Sequence, residues 1–242
     1  MNNQTSFPVN LEWGLNGIKK YFDAVDIFII VDVLSFSTCV DIAVNNGAGI
    51  IPYKFKDESA IYYAKSVNAE CASFHRSKKE YSLSPCSLNN ISSGTRLVLP
   101  SPNGSELSLS TGNKITLCGC LRNARAVGNY AASTGGNITV IAAGEKWSDR
   151  SLRPAIEDLI GAGAILCHIK NNLSPECETA IAVFEKFENN LFQTIKNSVS
   201  GQELNEKGFV EDIRFAAQLN VSNCVPVLKD GNIYLSDSNI LS

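Results

Sequence analysis

Asp32 closes the apolar run 26–32, and Ser35, Ser37 and Thr38 follow it within a few residues. The run 95–100 leads into Ser101-Pro-Asn103-Gly104-Ser105, and the run 137–143 into Gly144-Glu145, with Asp149 soon after. Three apolar runs therefore end in carboxylates, hydroxyls and a glycine-containing turn. Carboxylates suit Mg²⁺, which takes about six oxygen ligands and keeps several waters. Hydroxyls and amides leading into a helix suit phosphate, because a helix N-terminus offers free N–H groups and partial positive charge. The combination points to a phosphorylated anion held beside a hard metal. Plainer roles exist for each piece. Asp32 suits the cap of the next helix, Asn103-Gly104 a simple turn, and Glu145 a solvated loop. Adjacent Glu157 and Asp158 lie about 100° apart on a helix, so at most one faces a sheet ideally. Both also suit the positive end of a helix dipole.

The rest of the chain narrows the chemistry. Of its 242 residues 44% are hydrophobic, which excludes disorder as the main state. A formal net charge of -3 argues against a nucleic-acid surface. With 2 histidines, no His-rich zinc site is expected, and carboxylates, hydroxyls, amides or a hard metal must carry any hydrolysis. No glycine fingerprint of a dinucleotide or Walker-type site occurs, and no Gly-x-Ser-x-Gly elbow. The loop of cysteine phosphatases and the Asp-x-Asp pair of the haloacid dehalogenase type are also absent. Cys39, Cys118, Cys167 and Cys177 sit in apolar or helix-like runs, and no CxxC pair occurs among the 8 cysteines. They read as reduced thiols in a cytoplasmic protein. The segment MNNQTSFPVNLEW lacks the basic and apolar regions of a signal peptide. No run approaches the ~20 apolar residues of a membrane span.

Strands are expected over 26–32, 49–55, 95–100, 114–118 and 137–143. Helices are expected over 37–46, 57–67, 103–110, 122–133 and 152–169, the last with Pro154 in its first turn. This alternation predicts an α/β fold, a three-layer α/β/α arrangement with a mostly parallel sheet, and a ligand beyond the carboxyl ends of its strands. Ile181, Phe184, Phe187, Leu191 and Ile195 recur at helical spacing and predict one long helix over 174–198. Residues 201–219 read as a helix in two pieces, broken near Gly208. Residues 225–235 read as a β-hairpin turned by Asp230-Gly231. Residues 73–93, rich in Ser, Lys and Asn, read as a lid, a binding loop or a disordered stretch. Residues 1–242 thus read as a single α/β domain, with 174–242 a helical and hairpin extension packed on it.

The motifs also resemble a known family. Val31-Asp-Val-Leu-Ser-Phe-Ser-Thr38, with Ala43 to Ala48 behind it, resembles the first signature of the 2-phosphosulfolactate phosphatase (ComB-like) family. That signature reads Asp-Val-Leu-Arg-Ala-Thr-Thr, followed by an Asn-Gly-Ala stretch. Pro100 to Leu107 resembles the family's Thr-Thr-Asn-Gly-Thr segment. Ala143-Gly-Glu145 and residues 155–164 resemble its Gly-rich acidic motif, and 200–204, 211–213, Ala216 and 225–228 its C-terminal block. The similar segments stand in order over nearly the whole chain. The resemblance implies an α/β, Mg²⁺-dependent acid phosphatase that hydrolyses 2-phospho-3-sulfolactate to 3-sulfolactate in coenzyme M synthesis. Two departures stand out. The family's arginine is Ser35 here, with Phe36 for the following alanine, and its Gly-Asn-Ser-Pro loop appears as Ser82-Leu83-Ser84-Pro85. An arginine would pair bidentately with phosphate or sulfonate. Arg76, Arg122 and Arg150 are the candidates to replace its charge.

The resulting assignment places Mg²⁺ on Asp32 and Glu145, with Glu157 or Asp158 as a further ligand or water-activating base. Asp32, Glu157 and Asp158 are thus the expected catalytic carboxylates. Ser35, Ser37, Thr38, Asn103, Gly104 and Ser105 are expected to bind the substrate. The expected partner is a small anionic phosphorylated molecule, with no nucleic acid and no membrane. A homodimer is expected only because two-fold dimers are the commonest oligomers. The alternative prompted by Ser35 is a degenerate member that binds a phosphorylated metabolite without catalysis.

Overall fold

The computed structural model describes residues 7–170 and 172–237. It opens with a pair that periodicity does not announce: strand β1 (Val9–Trp13) and helix α1 (Gly14–Tyr21). There follow β2 (Ile27–Val31), α2 (Phe36–Asn45), β3 (Gly49–Tyr53), α3 (Ser59–Ser66), β4 (Glu70–Cys71) and α4 (Pro85–Leu88). Next come β5 (Arg96–Pro100), α5 (Gly104–Leu109), β6 (Ile115–Gly119), α6 (Ala124–Ser133) and β7 (Ile138–Ala142). A short ribbon, β8 (Glu145–Lys146) with β9 (Leu152–Arg153), leads to α7 (Ile156–Leu166). The chain continues through α8 (Pro175–Phe187), α9 (Leu191–Asn197), α10 (Val199–Glu206) and α11 (Val210–Ala216) to the hairpin of β10 (Pro226–Lys229) and β11 (Ile233–Ser236).

Nine strands form one sheet in the order β1-β7-β2-β6-β10-β11-β3-β5-β4. β1-β7-β2-β6 are parallel to one another, and so are β3-β5-β4. The hairpin is antiparallel to both blocks. It therefore sits in the middle of the sheet, joining the two parallel blocks, and not on the outside of a finished one. The strands are continuously apolar because both faces are covered. Ile27, Ile29 and Val31 pack toward the side of α6, α7 and α8, while Phe28 and Ile30 pack with Ile18 of α1 and Leu107 of α5. This is the expected α/β layering.

Two helices differ from the sequence reading. The helix expected over 152–169 begins at Ile156, and Leu152 and Arg153 pair with β8 instead. Proline disfavours helical backbone at the residue before it, so Pro154 holds Arg153 extended. The helix expected over 174–198 is interrupted by a 3₁₀ turn at Glu188–Asn190. Its start is as the sequence suggests, with the Ser174 side chain accepting from the N–H of Cys177 and Pro175 in the first turn. All 8 cysteines are free. Among the described residues no helix is long and apolar enough to cross a membrane.

Because of the central hairpin, β5 runs counter to β2. Each neighbouring pair adds roughly 20–25° of twist, so the five steps between them rotate β5 by about 100° or more. The two carboxyl ends meet as a result. Gly104, just past β5, donates its N–H to Asp32, just past β2, at 2.9 Å.

Candidate active site

Asp32 is 6% exposed and has a place in both adjoining turns. Its Oδ1 accepts the N–H of Phe36 at 3.2 Å, at the start of α2, and its Oδ2 accepts that of Gly104 at the start of α5. The capping role and the site role thus fall on one carboxylate. Its own N–H donates to Ser37 Oγ at 2.9 Å, and the Ser37 N–H returns to the Asp32 carbonyl at 2.8 Å. Gly104 has to be glycine for a packing reason. A Cβ there would strike the ring of Phe36, which is fully buried and meets Tyr234 edge-on at 6.2 Å between centroids. Gly104→Ala should cost about 1–3 kcal/mol through overpacking. Thermal melting checks this, and an unchanged melting temperature would remove Phe36 as the constraint.

Asp158 ties a third turn to the first. Its Oδ1 accepts the N–H of Val33 at 2.7 Å and its Oδ2 that of Gly144 at 2.8 Å, linking the exits of β2 and β7. Glu157 is 2% exposed, yet no described residue donates a hydrogen bond to its carboxylate. At most one of this pair was expected to face the sheet ideally, yet both are buried in the first turn of α7. Glu145 is partly buried and accepts Asn103 Nδ2 at 2.9 Å on Oε2.

These carboxylates perturb one another. Burial, then the charge of Glu145, pushes the Asp32 carboxyl up to about 7, while the Phe36 and Gly104 N–H groups pull it down. Burial, with Asp32 and Glu157 nearby, holds Asp158 well above the carboxylate range. Burial raises Glu145 as well, against the bond from Asn103. A buried set of like charges calls for protons or a cation.

Several residues expected to bind substrate are engaged in the fold. Ser37, Thr38 and Ser105 are fully buried, and their hydroxyls donate to the carbonyls of Ile30 (3.2 Å), Val33 (2.8 Å) and Leu99 (3.0 Å). They brace the turns that carry Asp32 and Gly104. Asp149 is exposed and accepts from the Ser151 hydroxyl.

The three candidate arginines separate cleanly. Arg122 pairs with buried Asp41 at 2.9 Å and also bonds Gln218. Arg150 is exposed and lines a cavity of about 360 Å³ beside Asn103 and Glu145. Arg76 reaches Ser35: its Nη2 donates to Ser35 Oγ at 3.1 Å. Arg153, whose charge acts on Glu145, went unnoticed in the sequence because its stretch reads as helix, and the Arg-Pro step was the available signal.

Among the described residues, no three His, Cys, Asp or Glu side chains stand close enough to enclose one metal ion. The donors are nonetheless hard oxygens. Mg²⁺ is usually held through one or two carboxylates, with water and substrate phosphate completing its shell. The donor chemistry therefore fits Mg²⁺ shared with substrate, and not a closed protein cage.

The fold and site thus define an α/β protein with an acidic cluster where carboxyl ends of its strands converge. A family model described as 2-phosphosulpholactate phosphatase matches residues 15–231. The chain is 27% identical over 210 residues to the 2-phosphosulfolactate phosphatase of Methanothermobacter thermautotrophicus, covering 86% of this chain and 89% of that protein. It is 23% identical over 221 residues to a probable 2-phosphosulfolactate phosphatase of Caldanaerobacter subterraneus subsp. tengcongensis, covering 86% of this chain and 90% of that one. The chain belongs to the 2-phosphosulfolactate phosphatase family, a family of phosphoric monoester hydrolases.

Proposed function

We propose that the protein hydrolyses a small 2-phospho acid, 2-phospho-3-sulfolactate or a close analogue, to the 2-hydroxy acid and phosphate, with Mg²⁺ as cofactor. The observation that carries this reading is Asp32, buried between two helix starts with Glu145 and Glu157 near enough to act on its charge. Asp32 and Glu145 would hold the ion, since each Asp32 oxygen accepts one N–H and keeps a lone pair. When bound, Mg²⁺ supplies charge neutralisation at the phosphoryl oxygens and orients the attacking water.

The other roles belong to the chain. Asp158 positions the turns after β2 and β7 through its two N–H bonds. Glu157, with no N–H donor on its oxygens, receives the proton of the attacking water at its carboxylate. Asn103 orients Glu145. Among the described residues, the N–H groups of Leu34 and Ser35 have no hydrogen-bond acceptor, which leaves them for a phosphoryl oxygen. The names of the relatives support the substrate class, and with that substrate goes a place in coenzyme M synthesis. The test is phosphate release from a set of 2-phospho acids, with Mg²⁺ and with chelator. Chelator-sensitive turnover is expected. A thermal shift with phosphosulfolactate and no phosphate release would instead favour a non-catalytic binder, the reading prompted by Ser35.

A further inference from the structure

Arg76 lies in the loop before α4, far in sequence from the acidic cluster, yet its guanidinium is built into the site's edge. Nη1 pairs with Asp212 Oδ2 at 2.7 Å, and Nη2 donates to Ser35 Oγ at 3.1 Å. Asp212 is itself fully buried. Its Oδ1 accepts the Ser84 hydroxyl at 2.6 Å and the Cys86 N–H at 3.2 Å. One face of the guanidinium rests over the Phe209 ring at 5.7 Å. The side chain is 17% exposed, and among the described residues three of its five N–H groups have no acceptor.

Other cations gather there. Lys78 Nζ donates to the Gly208 carbonyl at 2.9 Å and also faces Phe209. Lys56 is exposed at the surface, and desolvation, with the charges of Arg76 and Lys207, lowers its ammonium below the usual range. Asp212 already pairs with Arg76, and the remaining cations make this edge favourable for a further anion. The turn from Asp32 to Ser35 thus carries a carboxylate bonded to Gly104 and a hydroxyl bonded to Arg76.

We propose that Arg76 anchors a second acidic group of the substrate, a sulfonate or carboxylate, while the phosphate meets the acidic cluster. This rests on the phosphatase reading above and adds a specificity-determining residue to it. The substrate class it selects is a phosphomonoester carrying another anion a few bonds from the phosphate. Simple phosphomonoesters lack the group that Arg76 would hold.

Calorimetric titration of the full chain with 3-sulfolactate and with inorganic phosphate tests this without requiring turnover. Arg76→Gln should weaken 3-sulfolactate at least tenfold and phosphate by less than threefold. Lactate, with only the carboxylate, and isethionate, with only the sulfonate, distinguish which acid is held. Because Arg76→Gln strands buried Asp212, the double variant with Asp212→Asn is measured as well and should show the same loss. Equal weakening of phosphate and 3-sulfolactate would give Arg76 to the phosphate and overturn the proposal. So would unchanged binding, or a wild-type chain that does not bind 3-sulfolactate. A wild type that binds 3-sulfolactate through Arg76 but releases no phosphate overturns the hydrolase reading and leaves the anchor standing.

Discussion

Asp32→Asn should lower Mg²⁺-dependent phosphate release at least a hundredfold, on the order of what loss of one preorganised electrostatic group costs. The chain should stay folded. Asparagine keeps one carbonyl oxygen for the N–H of Gly104 or Phe36, and its amide meets the other N–H without an acceptor. That loss costs about 1–3 kcal/mol. Against it stands the removal of a carboxylate that burial and Glu145 already disfavour as an anion. The balance depends on pH in a definite direction. Asp32 keeps its proton up to about 7 when folded, whereas an unfolded aspartate releases it near 4. Between those values the folded state binds more protons, so raising the pH destabilises it. The contribution is full below about 4 and is lost as the pH rises through about 7. From Asp32 alone the slope is at most roughly 1.4 kcal/mol per pH unit. Thermal melts in chelator should therefore fall from pH 5 to pH 7.5 in the wild type and fall less in Asp32→Asn. Parallel melting curves across that range, or undiminished Mg²⁺-dependent turnover in the variant, would show that Asp32 is not the centre of the cluster.

The parts of this site that were legible in the sequence share one property: their signal is local. Asp32, Gly104 and Glu145 each stand just past a strand, and a strand's end can be read from where its apolar run stops. Their convergence was expected on one edge of a parallel sheet; β5 in fact runs counter to β2, and Gly104 reaches Asp32 across the twisted sheet instead. The hairpin was legible as a hairpin from Asp230-Gly231, but its place between β6 and β3 was not, because strand order is settled by long-range packing. β1 was not expected although Val9, Leu11 and Trp13 alternate, because Asn10 and Glu12 interrupt the continuous apolar run that marks a strand such as β2. The hydroxyls show a different limit. A serine at a helix start can face a ligand or the backbone with the same sequence, and Ser37, Thr38 and Ser105 face the backbone. Arg76 shows a third. Its partners Ser35 and Asp212 are 41 and 136 positions away, a proximity no motif in one segment records.

Adjacent Glu157 and Asp158 offer the sharpest separation of stability from chemistry in the molecule. Asp158 joins two turns by accepting N–H groups of Val33 and Gly144, whereas Glu157 accepts none from any described residue. Asp158→Ala leaves two buried N–H groups without acceptors. Each buried N–H left without an acceptor costs about 1–3 kcal/mol, offset in part by removal of a carboxyl that burial disfavours as an anion. A net loss of roughly 3 kcal/mol is expected, which in a chain of this size lowers the melting temperature by about 6–12 °C. Activity falls with it, since the turn bearing Asp32 loses its tie to the one bearing Glu145. Glu157→Gln breaks no hydrogen bond and removes one of several crowded buried charges, so its melting temperature should hold or rise. Its turnover should nonetheless drop about a hundredfold or more, because the amide cannot take up a proton from water. Melting and phosphate release, measured together on both variants, check the division. A Glu157→Gln chain that melts as low as Asp158→Ala would make Glu157 a structural residue. One that melts like the wild type and keeps full turnover would move the water-activating role to another group.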